Sequence, residues 1–128
     1  MNQNRYNQLS KELLDASIAV HREMGPGLLE SVYELCLLKE LRLRKIHVEH
    51  QVSVPLFYKG EDLNKDFRID LLIENEIVVE LKAVDCILPV HEAQIISYLK
   101  LTDKRLGFLI NFNVPLLKDG FRRFVNDF

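Results

Sequence analysis

The sequence has no tryptophan and only two cysteines, five glycines and four prolines among its 128 residues. Two cysteines do not make a disulfide framework or a zinc site, so Cys36 and Cys86 are expected to be reduced, mostly buried thiols of a cytoplasmic protein. No segment approaches the roughly 18 apolar residues of a membrane span, and the first residues have no signal-peptide core. With 48% hydrophobic and 28% charged residues, residues 1–128 are predicted to form a single globular domain.

A strong excess of either charge is also missing. The formal net charge is −2, which excludes a strongly basic protein that coats nucleic acid by charge alone. The charge is nevertheless uneven, because residues 46–92 sum to −6, residues 1–45 to +1 and residues 93–128 to +3. An acidic block of this kind indicates either a solvated acidic face or a cation-binding centre.

Apolar spacing predicts two helices before any strand. Leu9, Leu13, Ala16, Val20 and Met24 recur at steps of three and four, which is typical of one helix face and predicts a helix over Tyr6–Met24. Gly25-Pro26-Gly27 is expected to end it. A second helix is predicted over Leu29–Arg44, with an apolar stripe of Val32, Leu35, Cys36, Leu38 and Leu43. Glu30 lies in its first turn, where the helix dipole favours a carboxylate.

The rest of the chain alternates as strands do. A strand is predicted over Val48–Tyr58, followed by a turn over residues 59–64 and by strands from Phe67 and from Ile77. A third helix is predicted over Pro89–Thr102. Residues 106–112 are apolar at nearly every position, which indicates a strand covered on both faces, and a short helix is predicted after Asp119. The predicted class is α/β (α+β), in the order ααβββαβ(α).

The two strands from Phe67 and Ile77 predict a hairpin that brings carboxylates together. With a three-residue loop over 74–76, the apolar residues of the two strands face each other. A shift by one residue would instead pair apolar with polar residues along the whole hairpin. The three-residue loop puts Asp70 opposite Glu80, with Cβ atoms about 4.5–5.5 Å apart. Lys82 and Arg68 project from the same face. A divalent cation between the carboxylates and a solvated polar face are both compatible with this pattern.

Two helix faces carry further polar groups. His91, Gln94 and Tyr98 lie on one stripe of the third helix, and Glu30 shares a face with Tyr33 on the second. Each stripe by itself is also typical of the solvent side of an amphipathic helix.

Together these motifs resemble a known family. Asp70 followed by Glu80-Leu81-Lys82 resembles the core of the PD-(D/E)XK nuclease superfamily, although Ile69 stands where the motif has proline. Gln94 and Tyr98 resemble the QxxxY motif of its RecB-like members. The segment from Gly27 to Tyr33 is similar to the signature of the GxxExxY proteins, a small bacterial and archaeal group placed in that superfamily. The resemblance extends from His21 to about Arg123.

The resemblance implies a restriction-endonuclease-like fold, a mixed central sheet flanked by helices, and a nuclease that depends on Mg²⁺ or Mn²⁺. It implies Glu30, Asp70 and Glu80 as metal ligands and Lys82 as the residue that orients or deprotonates water. Gln94 and Tyr98 would position metal-bound groups or the phosphate, and His21 is a weaker candidate at the edge of the site. The partner would be nucleic acid, DNA or RNA, approached along the basic side chains of the last third: Lys100, Lys104, Arg105, Lys118, Arg122 and Arg123.

Other interpretations stay open at this point. A catalytically inactive nuclease fold that serves as a binding or assembly module would fit the small size and the acidic pI. A transition-metal site of His47, His50, Cys86 or His91 is disfavoured, because His47 and His50 point to opposite faces of a strand. A homodimer or larger assembly is a further hypothesis, since one short chain has little surface with which to hold two nucleic-acid strands.

Overall fold

A computed structural model describes all residues, 1–128. Three α-helices, five strands and one 3₁₀ turn follow each other along the chain: α1 Gln3–Met24, α2 Glu30–Leu43, β1 Val48–Tyr58, β2 Glu61–Ile73, β3 Ile77–Lys82, α3 Pro89–Thr102, β4 Leu106–Asn111, the 3₁₀ turn Leu117–Gly120 and β5 Phe121–Val125. No helix combines the length and the apolar character needed to cross a membrane. The predicted mixed α/β class is confirmed.

Caps and turns set the ends of the first two helices. The Asn2 side chain accepts a hydrogen bond from the Arg5 backbone N–H at 2.9 Å, so α1 begins three residues before the predicted start. Gly25 ends α1 with a positive φ of 71°, a conformation that glycine adopts without steric cost. The Tyr33 hydroxyl then donates to the Gly25 carbonyl at 2.5 Å. This contact closes the loop and places Glu30 at the first position of α2.

The sheet is mixed and lies between two helical layers. Its strand order is β1-β2-β3-β4-β5, and every neighbouring pair is antiparallel except β3 with β4, which are parallel. Helix α3 makes the connection between those parallel strands. The larger apolar cluster joins α1 and α2 to one face of the sheet, and a smaller cluster joins Ile95 and Leu99 of α3 to the other. All six residues of β4 are buried, as its apolar run predicted.

Three predictions about elements were wrong. The turn predicted over residues 59–64 is only Lys59-Gly60, whose φ values of 50° and 80° are those of a two-residue type I′ turn that lets β2 begin at Glu61. The helix predicted after Asp119 is strand β5, which gains ladder hydrogen bonds to β4. The apolar stripe predicted on α2 is displaced, because Leu35 and Leu43 are 59% and 64% exposed. Its buried residues are Tyr33, Glu34, Leu37, Leu38 and Leu41.

The β2–β3 hairpin has the predicted register. Ile73 pairs with Ile77 and Leu71 with Val79, and the loop between them has Glu74 and Asn75 in the left-handed region. The ladder ends at Leu71 and Val79, so Asp70 and Glu80 face each other just where the two strands separate. The fold thus presents these two carboxylates at an opening in the sheet.

Candidate active site at the open end of the β2–β3 hairpin

The side chains of Asp70 and Glu80 each accept a hydrogen bond from a backbone N–H of the opposite strand. The Leu81 backbone N–H donates to Asp70 Oδ2 at 2.8 Å, and the Asp70 backbone N–H donates to Glu80 Oε2 at 3.3 Å. These two bonds occupy the place of the next ladder pair, which two facing carboxylates would not favour. Glu80 is only 5% exposed, so a buried carboxyl group stands directly beside a second one.

Helix α2 brings two further carboxylates to the same place. Glu30 is half-buried in its first turn, and Glu34, one turn later, is 8% exposed. Burial, and in addition the charge of Asp70, raises the pKa of both side chains. The site therefore gathers four carboxyl groups from three elements of the fold.

Gln51 of β1 links two of these carboxylates. Its side-chain Nε2 donates to both oxygens of Glu34, at 2.9 and 3.0 Å, and lies 3.4 Å from Asp70 Oδ1. The backbone of Gln51 has a φ of 51°, which is uncommon for a residue with a long side chain. One amide group thus connects α2 to the sheet beside Asp70.

Lys82 is the positively charged residue of the cluster, and the chain that follows it is hydrogen-bonded to the neighbouring strand β4. Burial raises the pKa of both Glu30 and Glu80, and the positive charge of Lys82 offsets only part of that rise. In the next strand, the buried Asn111 accepts a hydrogen bond from the Val84 N–H at 3.1 Å and donates to the Val84 carbonyl at 2.9 Å. These two bonds fasten the chain directly after Lys82 to β4.

Helix α3 covers the cluster with polar side chains. Gln94 Nε2 donates to the Tyr98 hydroxyl at 3.1 Å. The Tyr98 ring stacks on Phe67 of β2, with ring centroids 4.6 Å apart. Burial, and after it the charges of Glu80 and Asp70, raise the pKa of the Tyr98 hydroxyl, which places this hydroxyl close to the two carboxylates.

Burial dominates the electrostatics of the site. Desolvation is the largest cause that raises the pKa of Glu30, Glu34 and Glu80. The effect is greatest at Glu80, whose pKa is raised far above its usual value because the side chain is buried and hydrogen-bonded to Asp70. Ionisation of these carboxyl groups therefore costs free energy where they stand, and Glu80 keeps its proton at neutral pH. A cation bound among them would lower that cost.

All six side chains singled out in the sequence, Glu30, Asp70, Glu80, Lys82, Gln94 and Tyr98, are connected in this cluster by contact or by charge. Sequence reasoning missed Glu34 and Gln51. The signal for Glu34 was its position four residues after Glu30, which places it on the same helix face. Gln51 left no such signal, because its role depends on the pairing of β1 with β2.

The histidines have structural contacts instead. His21 lies outside these contacts, with its Nε2 2.7 Å from the Val114 carbonyl oxygen. His91 Nδ1 accepts from the Leu88 N–H at 3.0 Å and so caps its own helix. His50 Nδ1 lies 3.9 Å from Glu34 Oε2, whereas His47 pairs with Glu49. No three histidine, cysteine or acidic side chains anywhere in the chain stand close enough together to enclose a metal ion as they are placed.

The comparison with protein families decides the classification. The model of the PD-(D/E)XK nuclease superfamily matches residues 7–124. The chain belongs to this superfamily. The crystal structure of SSO0001 is similar in fold, with a TM-score of 0.52 and 24% sequence identity over 94% of this chain. The present chain spans only 58% of the length of that protein. No curated protein matches the sequence at a significant level.

The donor set of this PD-(D/E)XK domain fits a hard divalent cation. Members of the superfamily generally use such ions, and the groups that meet at the hairpin opening are carboxylate oxygens, the ligands that Mg²⁺ and Mn²⁺ prefer. No cysteine stands among them, and the nearest histidine is His50 beside Glu34. The site contains four carboxyl groups and one lysine, so its charge balance also favours a cation.

Proposed function

We propose that this domain is a divalent-metal-dependent nuclease of the GxxExxY type, which hydrolyses phosphodiester bonds in DNA or RNA. The observation that carries the proposal is the reciprocal contact of Asp70 and Glu80 at the opened end of a hairpin, with Lys82 next to Glu80 on the same strand face. Two buried carboxyl groups are stable side by side when one of them keeps a proton or when a cation binds between them. The superfamily membership supports phosphodiester hydrolysis as the chemistry.

Glu30, Asp70 and Glu80 would hold a Mg²⁺ or Mn²⁺ ion. When bound, such an ion acidifies water and neutralises charge on the phosphoryl oxygens. Because no three acidic groups yet enclose an ion, ion binding calls for rotation of at least one carboxylate. Glu30, which is half-buried at the start of α2, has the most room to turn.

The other side chains would act on water and on the phosphate. Lys82 provides a positive point charge that orients the attacking water and stabilises the developing negative charge. The amide of Gln94 holds the Tyr98 hydroxyl, and this pair can donate to a phosphate oxygen at the mouth of the cluster. The α2 carboxylates and the α3 pair thus bound the reaction site from two sides of the sheet.

A cleavage assay with a matched control tests the proposal. The purified chain is incubated with single- and double-stranded DNA and with RNA, with Mg²⁺, with Mn²⁺ and with chelator. We expect metal-dependent cleavage that falls at least about 100-fold in Asp70→Asn, because a metal ligand is lost. Asp66→Asn is the control, since Asp66 lies on the same strand and face but is exposed and contacts Ser53 instead.

Two results would contradict the proposal. Cleavage that is equal in wild type and Asp70→Asn would mean that the nuclease activity does not belong to this site. Mn²⁺ binding without cleavage of any substrate would favour the alternative of an inactive nuclease fold that serves as a binding module.

A homodimer stays a prediction, which a mass by light scattering would test. The cytoplasmic location also stays a prediction. Of the two thiols, Cys36 is partly buried and Cys86 is exposed, so the predicted burial was wrong for Cys86.

A further inference from the structure

Gln51 stands at an interruption of the sheet. In the β1–β2 ladder, His50 pairs with Leu71 and Val52 with Ile69, so Gln51 falls opposite Asp70, yet these two residues form no ladder pair. The left-handed φ of 51° at Gln51 turns the backbone out of the extended conformation at this single position. The sequence itself requires no such turn here, because neither glycine nor proline is nearby.

The unusual backbone serves a side chain with a specific pair of contacts. Gln51 Nε2 donates to both oxygens of Glu34 at 2.9 and 3.0 Å and lies 3.4 Å from Asp70 Oδ1. An amide NH₂ group carries two hydrogens and no charge. It can therefore bridge two carboxylates that repel each other, and it adds no cation that would compete with a metal ion.

The bridge joins two elements that otherwise carry their carboxylates independently. Glu34 belongs to α2, which also carries Glu30 one turn earlier, whereas Asp70 belongs to β2. Sparsely populated backbone conformations persist where the surrounding structure holds them, and they occur most often at functional sites.

We infer that Gln51 is a positioning residue of the metal site: its amide clamps Glu34 of α2 against Asp70 of β2 and so holds together the two elements whose carboxylates would receive the ion. The inference rests on the proposed function, because it assumes that Asp70 and Glu30 are metal ligands. It adds that their mutual placement depends on a neutral residue of β1. Groups that hold metal ligands in place typically contribute about 10- to 100-fold to metal affinity.

The backbone of Gln51 allows a test that separates positioning from folding. Gln51→Gly removes the amide and at the same time suits the positive φ, since glycine adopts it freely. We expect a single cooperative unfolding transition in chelator at a lower melting temperature, because the buried Glu34 loses its amide donor. The affinity for Mn²⁺, measured by calorimetry, should fall about 10-fold. Gln51→Met keeps the length of the side chain without its donors, and we expect the same loss of Mn²⁺ affinity.

Lys45→Gly is the matched control, because Lys45 also has a long side chain at a positive φ of 62° but is exposed after α2. We expect it to bind Mn²⁺ as wild type does. The inference is overturned if both Gln51 variants bind Mn²⁺ with wild-type affinity, or if neither of them gives a cooperative unfolding transition while the control does. A wild-type chain that binds no Mn²⁺ would overturn the proposed metal site itself, which is a separate result.

Discussion

The two ends of the β2–β3 hairpin are built from the same strands in opposite ways. At the end near the loop, Ile73, Leu72 and Leu71 pair with Ile77, Val78 and Val79, and all six side chains are buried. One residue further along, Asp70 meets Glu80, and the ladder stops. Backbone pairing and apolar packing close one end, whereas carboxylates bonded to backbone N–H groups keep the other end open.

The difference shows how a small domain separates stability from chemistry. The closed end contributes apolar burial, which is the main favourable term in folding. The open end places a carboxyl group that is 5% exposed beside another, which is unfavourable unless a proton or a cation intervenes. Strands β2 and β3, which contribute to the core, therefore also position Asp70 and Glu80 at the point where the two strands separate.

The largest effect is expected from a substitution in the apolar core at the closed end. Leu71→Ala deletes a fully buried side chain of the larger core cluster, and we expect it to lower the free energy of unfolding by about 2–5 kcal/mol. Leu63→Ala, the same substitution in the exposed part of the same strand, should change it by less than about 1 kcal/mol. Urea unfolding measures both, and equal effects of the two variants would contradict the packing argument.

The next prediction concerns Asp70, which lies next to Leu71 at the open end of the hairpin. Mn²⁺ at about 100 times its dissociation constant should raise the free energy of unfolding of the wild type by about 2.7 kcal/mol, because the ion binds only the folded protein. Asp70→Asn should abolish this increase, whereas Leu71→Ala should retain it. Thermal unfolding with Mn²⁺ and with chelator gives the answer, and an increase that survives in Asp70→Asn would move the metal site elsewhere.

Much of this arrangement was predictable because it depends on local patterns. Apolar parity determined the β2–β3 register, since only a three-residue loop places Ile73 opposite Ile77. The glycines around Pro26 indicated where α1 ends, and Glu30 followed at the start of α2. The polar side chains that the sequence motifs predicted accordingly lie together in the candidate cluster.

What was missed depends on contacts between distant segments. Residues 121–125 have no strong local preference, and pairing with β4 makes them a strand. Gly120 lies so close to β4 that an added Cβ would stand 2.2 Å from the Asn111 carbonyl oxygen, which no helical pattern indicates. Gln51 reaches Glu34 and Asp70 only after three elements have assembled, so no spacing in the sequence contains that contact.

A third prediction sharpens the contrast through pH. Burial and Asp70 raise the pKa of Glu80 in the folded protein, so the folded state keeps a proton that the unfolded chain releases. Stability then decreases with increasing pH, from the ordinary glutamate pKa of 4.5 up to the raised pKa, by as much as about 1.4 kcal/mol per pH unit for one proton. In chelator, Glu80→Gln should flatten this slope, because the amide does not titrate.

Urea unfolding between pH 5 and pH 8 tests this, with Glu61→Gln as the control at an exposed position of β2. The control should keep the wild-type slope. Equal slopes in wild type and Glu80→Gln would mean that Glu80 is not the group that retains the proton.

The smallest expected effect concerns the ion pair at the closed end. Arg5 Nη2 of α1 lies 3.1 Å from Glu74 Oε1 in the hairpin loop, with side chains 41% and 26% exposed. Because water and salt screen such pairs, a double-mutant cycle of Arg5→Gln and Glu74→Gln should give a coupling of about 0.2–1 kcal/mol. That coupling should decrease further in 1 M NaCl, where the Debye length is about 3 Å. A larger, salt-resistant coupling would mean that charge as well as apolar burial fastens the closed end, and the separation of stability from chemistry along the hairpin would no longer hold.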